Sequence, residues 1–218
     1  CFREDFIVIA QDMTVVGYSH HPETKGLGSI GGYSKPANGS RGINMHTSLA
    51  MSPRGLPLGL LSNNLFSREP KDFTDWQPRK SRERKDHLVP TEDKESYKWL
   101  HGLEQSYEAL KNEVKKSVTV CDRECDFHDF YLTAFSFDMD FVVRSSADRN
   151  VGSREEPLSL SQKLASTPAF LETVTIKIPA KQIGGGKSIE QKKREAVLEL
   201  KTTQVTITPS RKLSQIVK

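Results

Sequence analysis

The sequence predicts an α/β fold built on a mixed sheet: three antiparallel strands first, then strands alternating with helices, then a β-rich segment. Three observations predict it. The opening third carries three strand-like runs, the first rich in β-branched residues, separated by turn residues. Residues 91–144 switch between a helical period and short apolar runs, the pattern of parallel strands joined by crossover helices. Beyond about residue 150 the alternation returns to a two-residue period.

Phe6-Ile-Val-Ile-Ala10 is a continuous apolar run, expected to be a strand buried on both faces and closed by Gln11-Asp12. A glycine-rich stretch from Gly26 to Gly42 suits turns and loops. Ile43–Ser52 and Leu56–Arg68 read as two further strands, joined at Ser52-Pro-Arg-Gly55, where the proline pre-sets a turn. These three strands form an antiparallel meander. Residues 67–90 are polar and punctuated by prolines, as a linker or loop is.

From Thr91 the period lengthens. Trp99, Leu103, Tyr107, Leu110 and Val114 recur at steps of four, four, three and four, one face of a helix of about six turns that Thr91 can cap. Val118-Thr-Val-Cys121 is a short buried strand ending in Asp122, followed by a helix over about Asp126–Phe137 and a strand at Phe141–Arg144. After Ser146 come a short helix near Leu158–Ala165 and strands at Thr173–Ile178, Ala196–Leu200 and Gln204–Thr208. A boundary near residue 150 divides a core, 1–150, from a β-rich subdomain, 151–218. There is no internal repeat.

Composition narrows the function classes. No apolar run approaches a membrane span, and the chain does not open like a signal peptide. Three cysteines, Cys1, Cys121 and Cys125, give no disulfide framework and suit a reducing cytoplasm. Cys121, Cys125 and His128 lack a paired CxxC spacing and a fourth ligand, so two buried thiols at a strand end are expected rather than zinc. Residues 181–218 hold nine Lys or Arg against three Glu, a net +6; the whole chain is +4, so residues 1–180 carry −2. A second basic run spans Arg79 to Lys85. Such runs suit a polyanion surface, or a solvated one.

Asp12 and Asp122 each close an apolar run. If those strands are parallel neighbours, both carboxylates emerge at the carboxyl edge of the sheet, where α/β proteins hold their ligands. Adjacent carboxylates resist joint ionisation unless a cation lies between them. Hard oxygen donors suit Mg²⁺ or Mn²⁺, and two such ions can activate a water and stabilise the leaving oxygen of a phosphodiester. Aspartates that merely cap turns leave the same trace, so both readings stand on these residues alone. Glu124 and Asp126 lie at a helix start, where capping accounts for acids, and His20, His21 and His46 read as structural or surface residues. Gly184-Gly-Gly-Lys-Ser188 is not a phosphate-binding loop, because Lys181 stands where that motif needs glycine; a hairpin loop is the simpler reading.

Five segments carry a resemblance. Ala10-Gln-Asp-Met-Thr14, Lys25-Gly-Leu-Gly-Ser-Ile30, Asp93-Lys-Glu-Ser-Tyr-Lys-Trp-Leu100, Val120-Cys-Asp-Arg-Glu-Cys-Asp126 and Phe141-Val-Val-Arg-Ser145 resemble, in that order, the DDE transposases of bacterial insertion sequence four and transposon five. The run from Cys121 to Asp126 is the most specific of them. The resemblance implies a ribonuclease-H-like core whose first two catalytic, metal-binding aspartates are Asp12 and Asp122, with Mg²⁺ (or Mn²⁺) as cofactor. It implies that Arg123 and Arg144 contact transposon-end DNA, and that residues 150–218 belong to a β-strand insertion. It also implies double-stranded DNA partners (transposon ends and target), a homodimer in the full-length protein, no membrane partner, and a cytoplasmic, nucleoid-associated location in a bacterium.

One departure matters. The family carries its third carboxylate, a Glu, in a Tyr, Arg, Glu and Lys signature with gaps of two, three and six residues. Tyr97 has Leu100 where Arg is required, and the stretch Glu190–Glu199 contains no Tyr. The sequence is therefore expected to stop inside the insertion, without the third carboxylate, and to cut DNA poorly or not at all by itself. The family's amino-terminal end-recognition domain and carboxyl-terminal dimerisation helices are likewise not found. A non-catalytic remnant that binds DNA or another transposase chain is the alternative, and a repair-type nuclease of the same fold is a third reading.

Overall fold

The computed structural model describes residues 6–18, 20–21, 23–30, 41–68, 89–113, 116–153, 155–168, 170–183 and 189–207. The basic run at 79–85, the glycine-rich segment at 31–40, the loop at 184–188, Val114 and the last eleven residues lie outside them. Contacts divide the chain into two compact units, Cys1–Ser146 and Ala147–Lys218.

In the first unit, strands β1 (Ile7–Gly17), β2 (Gly28–Ser29), β3 (Arg41–Met51), β4 (Pro57–Phe66), β5 (Ser117–Cys121) and β6 (Asp140–Val143) make one six-stranded mixed sheet. β3 pairs antiparallel with β1, β2 and β4, whereas β5 runs parallel to both β1 and β6. The main path across the sheet is thus β4-β3-β1-β5-β6, with β2 beside the start of β3. The antiparallel half is the expected meander. Its β3–β4 turn closes where Gly55 donates its amide to Ser52 O at 2.9 Å, and Gly55 has φ +84°, which a side chain would strain.

Two helices connect the parallel half: α1 (Tyr97–Leu110) precedes β5, and α2 (His128–Ser136) joins β5 to β6. Both pack on one face of the sheet, around a core of Ile7, Ile9, Trp99, Leu103, Phe130 and Ala134. α2 ends without glycine. Asp138 takes the left-handed conformation (φ 53°), and the Met139 amide reaches back to Ala134 O at 3.0 Å.

Several expectations are corrected. β1 is not buried on both faces: Ile7, Ile9 and Gln11 are buried, but the residues between them are only half covered. On that second face Val120 and Val142 are exposed. β1 also continues to Gly17, because its antiparallel pairing with β3 outlasts its pairing with β5. The long helix starts at Tyr97, not Thr91. Thr91–Asp93 form a separate 3-10 turn, Lys94 is extended, and the Thr91 hydroxyl donates to Asp129 Oδ2 at 2.9 Å instead of capping α1.

α1 lies unusually close to the sheet at Gly102. A Cβ there would fall 2.8 Å from the Gln11 amide, 3.1 Å from His46 Cε1 and 3.1 Å from Ser48 Oγ. Lys98, Gly102 and Ser106 form a small or polar row at steps of four beside the Trp99–Leu103 stripe. Ser48 Oγ donates to Gly102 O at 3.4 Å, and Ser106 Oγ to the same oxygen at 2.6 Å.

The second unit contains α3 (Leu160–Ser166), whose capping box is formed by Ser159 and Gln162, and two antiparallel ribbons. β7 (Phe170–Ile178) pairs with β10 (Arg194–Lys201), and β8 (Lys181–Ile183) with β9 (Ile189–Gln191). The strand expected at Gln204–Thr208 does not form over its described residues, 204–207. Its alternating pattern gains no partner there, and a strand without one leaves its backbone groups unpaired.

The tight contact at Gly102 makes a prediction. Gly102→Val should cost about 1–3 kcal/mol in urea unfolding, because backbone and buried polar groups must shift to admit it. Gly102→Ala should cost less. An unchanged midpoint for the valine variant would show that α1 does not sit this close.

Candidate functional site

The parallel ladder between β1 and β5 runs from Ile7↔Ser117 to Ala10↔Val120. Carried two residues further, the same register brings Asp12 level with Asp122, on strands spaced about 4.8 Å apart. Asp122 stays extended (φ −79°, ψ −173°) as the residue after β5, so the alternation of faces continues through it. In β1 the buried positions are Ile7, Ile9 and Gln11; in β5 they are Thr119 and Cys121. Asp12 and Asp122 therefore share the opposite face, and both are exposed. Asp12 is not the last residue of its strand; it lies just past the end of the parallel pairing, opposite Thr47 of β3.

The local chain explains why β5 stops. The Asp122 side chain accepts the Glu124 amide at 2.7 Å and opens a 3-10 turn over Arg123–Cys125. Asp12 Oδ1 accepts the Met13 amide at 2.8 Å. Each carboxylate thus has an oriented oxygen held by backbone. Among the described residues, no set of three or more His, Cys, Asp or Glu side chains is grouped to hold a metal ion.

Arg123 lies on the exposed turn after Asp122. Arg144 is also exposed, and its amide donates to Cys121 O at 3.3 Å, which fixes it beside the end of β5. Neither guanidinium forms an ion pair among the described residues. The neighbouring acids have other work. Asp126 accepts the Tyr131 hydroxyl and, at 2.6 Å, the Ser146 amide, so it ties the chain after β6 to the turn after β5. Glu124 pairs with Lys98 rather than capping a helix. Cys121 and Cys125 are free, buried thiols in the core.

Beneath the two aspartates lies a polar layer that composition and spacing did not single out. Lys98 is buried, with its side chain 5% exposed, and its ammonium lies 3.1 Å from Glu124, 3.5 Å from Glu95 and 3.3 Å from Met13 Sδ. Glu95 also accepts two bonds from Arg68, at 2.5 Å on Oε1 and 2.9 Å on Oε2. Burial works against the charge on Glu95, but the Arg68 bonds and the Arg68 and Lys98 charges outweigh it and hold the carboxyl below its usual range. The signal for Lys98 was its place in the row with Gly102 and Ser106, one position from the apolar stripe.

His46 is fully buried, edge-on to Trp99 at 4.6 Å. Burial, followed by the positive charge of Lys98, pushes it from 6.5 down to about 4, with Asp12 pulling the other way. It is neutral near pH 7. The chain matches no protein-family model.

His46 gives the fold a defined acid sensitivity. Because its folded value is lowered, the unfolded chain takes up the proton first as pH falls. Stability should decline from about pH 6.5 to about pH 4 and then level off for this residue. A fall of that width is worth about 3 kcal/mol, at 1.36 kcal/mol for each unit. Urea titrations of His46→Gln should lose this part of the slope, while the carboxylate-dependent decline at lower pH remains. An unaltered slope would place the proton elsewhere.

Proposed function

We propose that this chain is the core of a metal-dependent DNA phosphoryl-transfer enzyme of the DDE transposase kind, on a ribonuclease-H-like sheet, with Asp12 and Asp122 as two of its metal ligands. The observation that carries the reading is the β1–β5 register, which sets both carboxylates level on one face at the end of the parallel ladder. The strand order β4-β3-β1-β5-β6, antiparallel then parallel, supports the sheet assignment. The donor set fits Mg²⁺ or Mn²⁺: two exposed carboxylates, each oriented by a backbone amide, leave the coordination sphere open to water and phosphate oxygens.

When bound, the ions would supply activation of an attacking water or 3′-hydroxyl and charge stabilisation at the phosphodiester. The chain's own residues would do the rest. Asp12 and Asp122 would hold the ions at the carboxyl edge of the sheet, and Arg123 and Arg144 would hold flanking phosphates of duplex DNA. Their exposure and their lack of carboxylate partners among the described residues suit that role. On this reading the partners are transposon ends, target DNA and a second copy of the full-length protein, in the bacterial cytoplasm.

One observation favours a second reading, a remnant that binds DNA without cutting it: no third acid joins the pair among the described residues. Duplex binding indifferent to Mn²⁺, with no nicking when a longer chain is supplied, would select that reading.

Calorimetric titration tests the proposal. The parent chain should take up Mn²⁺ saturably, and the double variant Asp12→Asn, Asp122→Asn should not. Equal uptake by both would remove the metal assignment.

A further inference from the structure

A buried ammonium is costly unless opposed by charge, and Lys98 is opposed twice. Its stem enters from the first turn of α1, and its Nζ meets two segments besides its own helix region. One contact is Met13 Sδ, the residue after Asp12, at 3.3 Å. The other is Glu124 Oε2, at 3.1 Å, on the residue whose amide binds Asp122 Oδ1. Lys98 therefore touches the chain one residue beyond the first aspartate and two residues beyond the second. Glu95 and Arg68 extend the network to the residues after β4, so segments at 68, 95–98 and 122–124 are joined through one buried charge.

The partners of Lys98 differ in what they could do without it. Glu95 keeps Arg68. Glu124 is half exposed, at 53%, and Lys98 is its only ion-pair partner among the described residues. Losing the lysine would free the Glu124 side chain and leave the turn that orients Asp122 held only by the buried Cys125 and its own backbone bonds. The geometry points to Lys98 as a positioning residue for the Asp12–Asp122 pair, clamping the Asp122 turn through Glu124 and seating Met13 beside Asp12. Its importance for metal binding rests on the phosphoryl-transfer reading above; the clamp itself does not.

Hydrogen exchange by NMR reads the clamp without metal. In Lys98→Met, which keeps a buried stem of similar length, the Glu124 and Cys125 amides should exchange about tenfold faster or more, with Ile9 and Phe130 unchanged. Glu124→Gln, which breaks the pair from its exposed side, should give the same local acceleration and covers the case in which Lys98→Met does not fold. The double variant should add little to either, because both remove one interaction. Lys98→Arg should recover part of the protection. Mn²⁺ affinity, measured on the same proteins, should fall about 10- to 100-fold in Lys98→Met and Glu124→Gln, as for loss of groups that orient metal ligands. Unchanged Glu124 exchange in both single variants would overturn the clamp. Faster exchange in both variants, with a parent chain that never binds Mn²⁺, would keep the clamp and sink the metal reading.

Discussion

Four residue pairs of parallel ladder, Ile7 to Ala10 against Ser117 to Val120, align everything that follows at the candidate site. A slip of one residue in that register would turn one aspartate to the helix-covered face and leave the other outside. The register is pinned from the buried side. Ile7, Ile9 and Thr119 face the helices, and the polar residues Gln11, His46 and Ser48 sit under Gly102, where α1 has no side chain to hold it away. The β1–β3 pairing then carries β1 past the point where β5 stops, so Asp12 rests on a continuing strand while Asp122 begins a turn.

The layer beneath the aspartates is polar where a small core would ordinarily be apolar. Asn44, His46 and Thr119 are buried with side-chain atoms that find no hydrogen-bond partner among the described residues, and Lys98 is buried with its charge. Such groups cost stability compared with well-packed apolar ones. Their placement under the carboxyl end of the parallel ladder, with Lys98 reaching the segments that carry both carboxylates, ties that cost to the geometry of the site.

Much of this was legible in the chain. The apolar runs at 6–10 and 118–121, the Ser52–Gly55 turn and the Trp99–Leu103–Tyr107–Leu110 stripe mark the elements that form, because burial and backbone geometry act locally there. What was not legible depends on distant partners. Thr91 reads as a cap until Asp129 takes its hydroxyl, thirty-eight residues away. Residues 204–207 alternate like a strand yet pair with no strand among the described residues. At the site, Asp12 and Asp122 stand out as acids at the ends of apolar runs, whereas nothing in the sequence pattern singles out Lys98. Only the packing of α1 against β1, and the turn after β5, give it Met13 and Glu124 as neighbours.

Paramagnetic broadening by Mn²⁺ tests most directly whether the two aspartates share a divalent ion, as proposed. At substoichiometric Mn²⁺, the Met13 and Glu124 amide signals should vanish together. The Leu110 signal, twelve residues along α1 from Lys98 and so about 18 Å away at 1.5 Å for each residue, should persist. Broadening of one segment without the other, or of neither, would contradict the account.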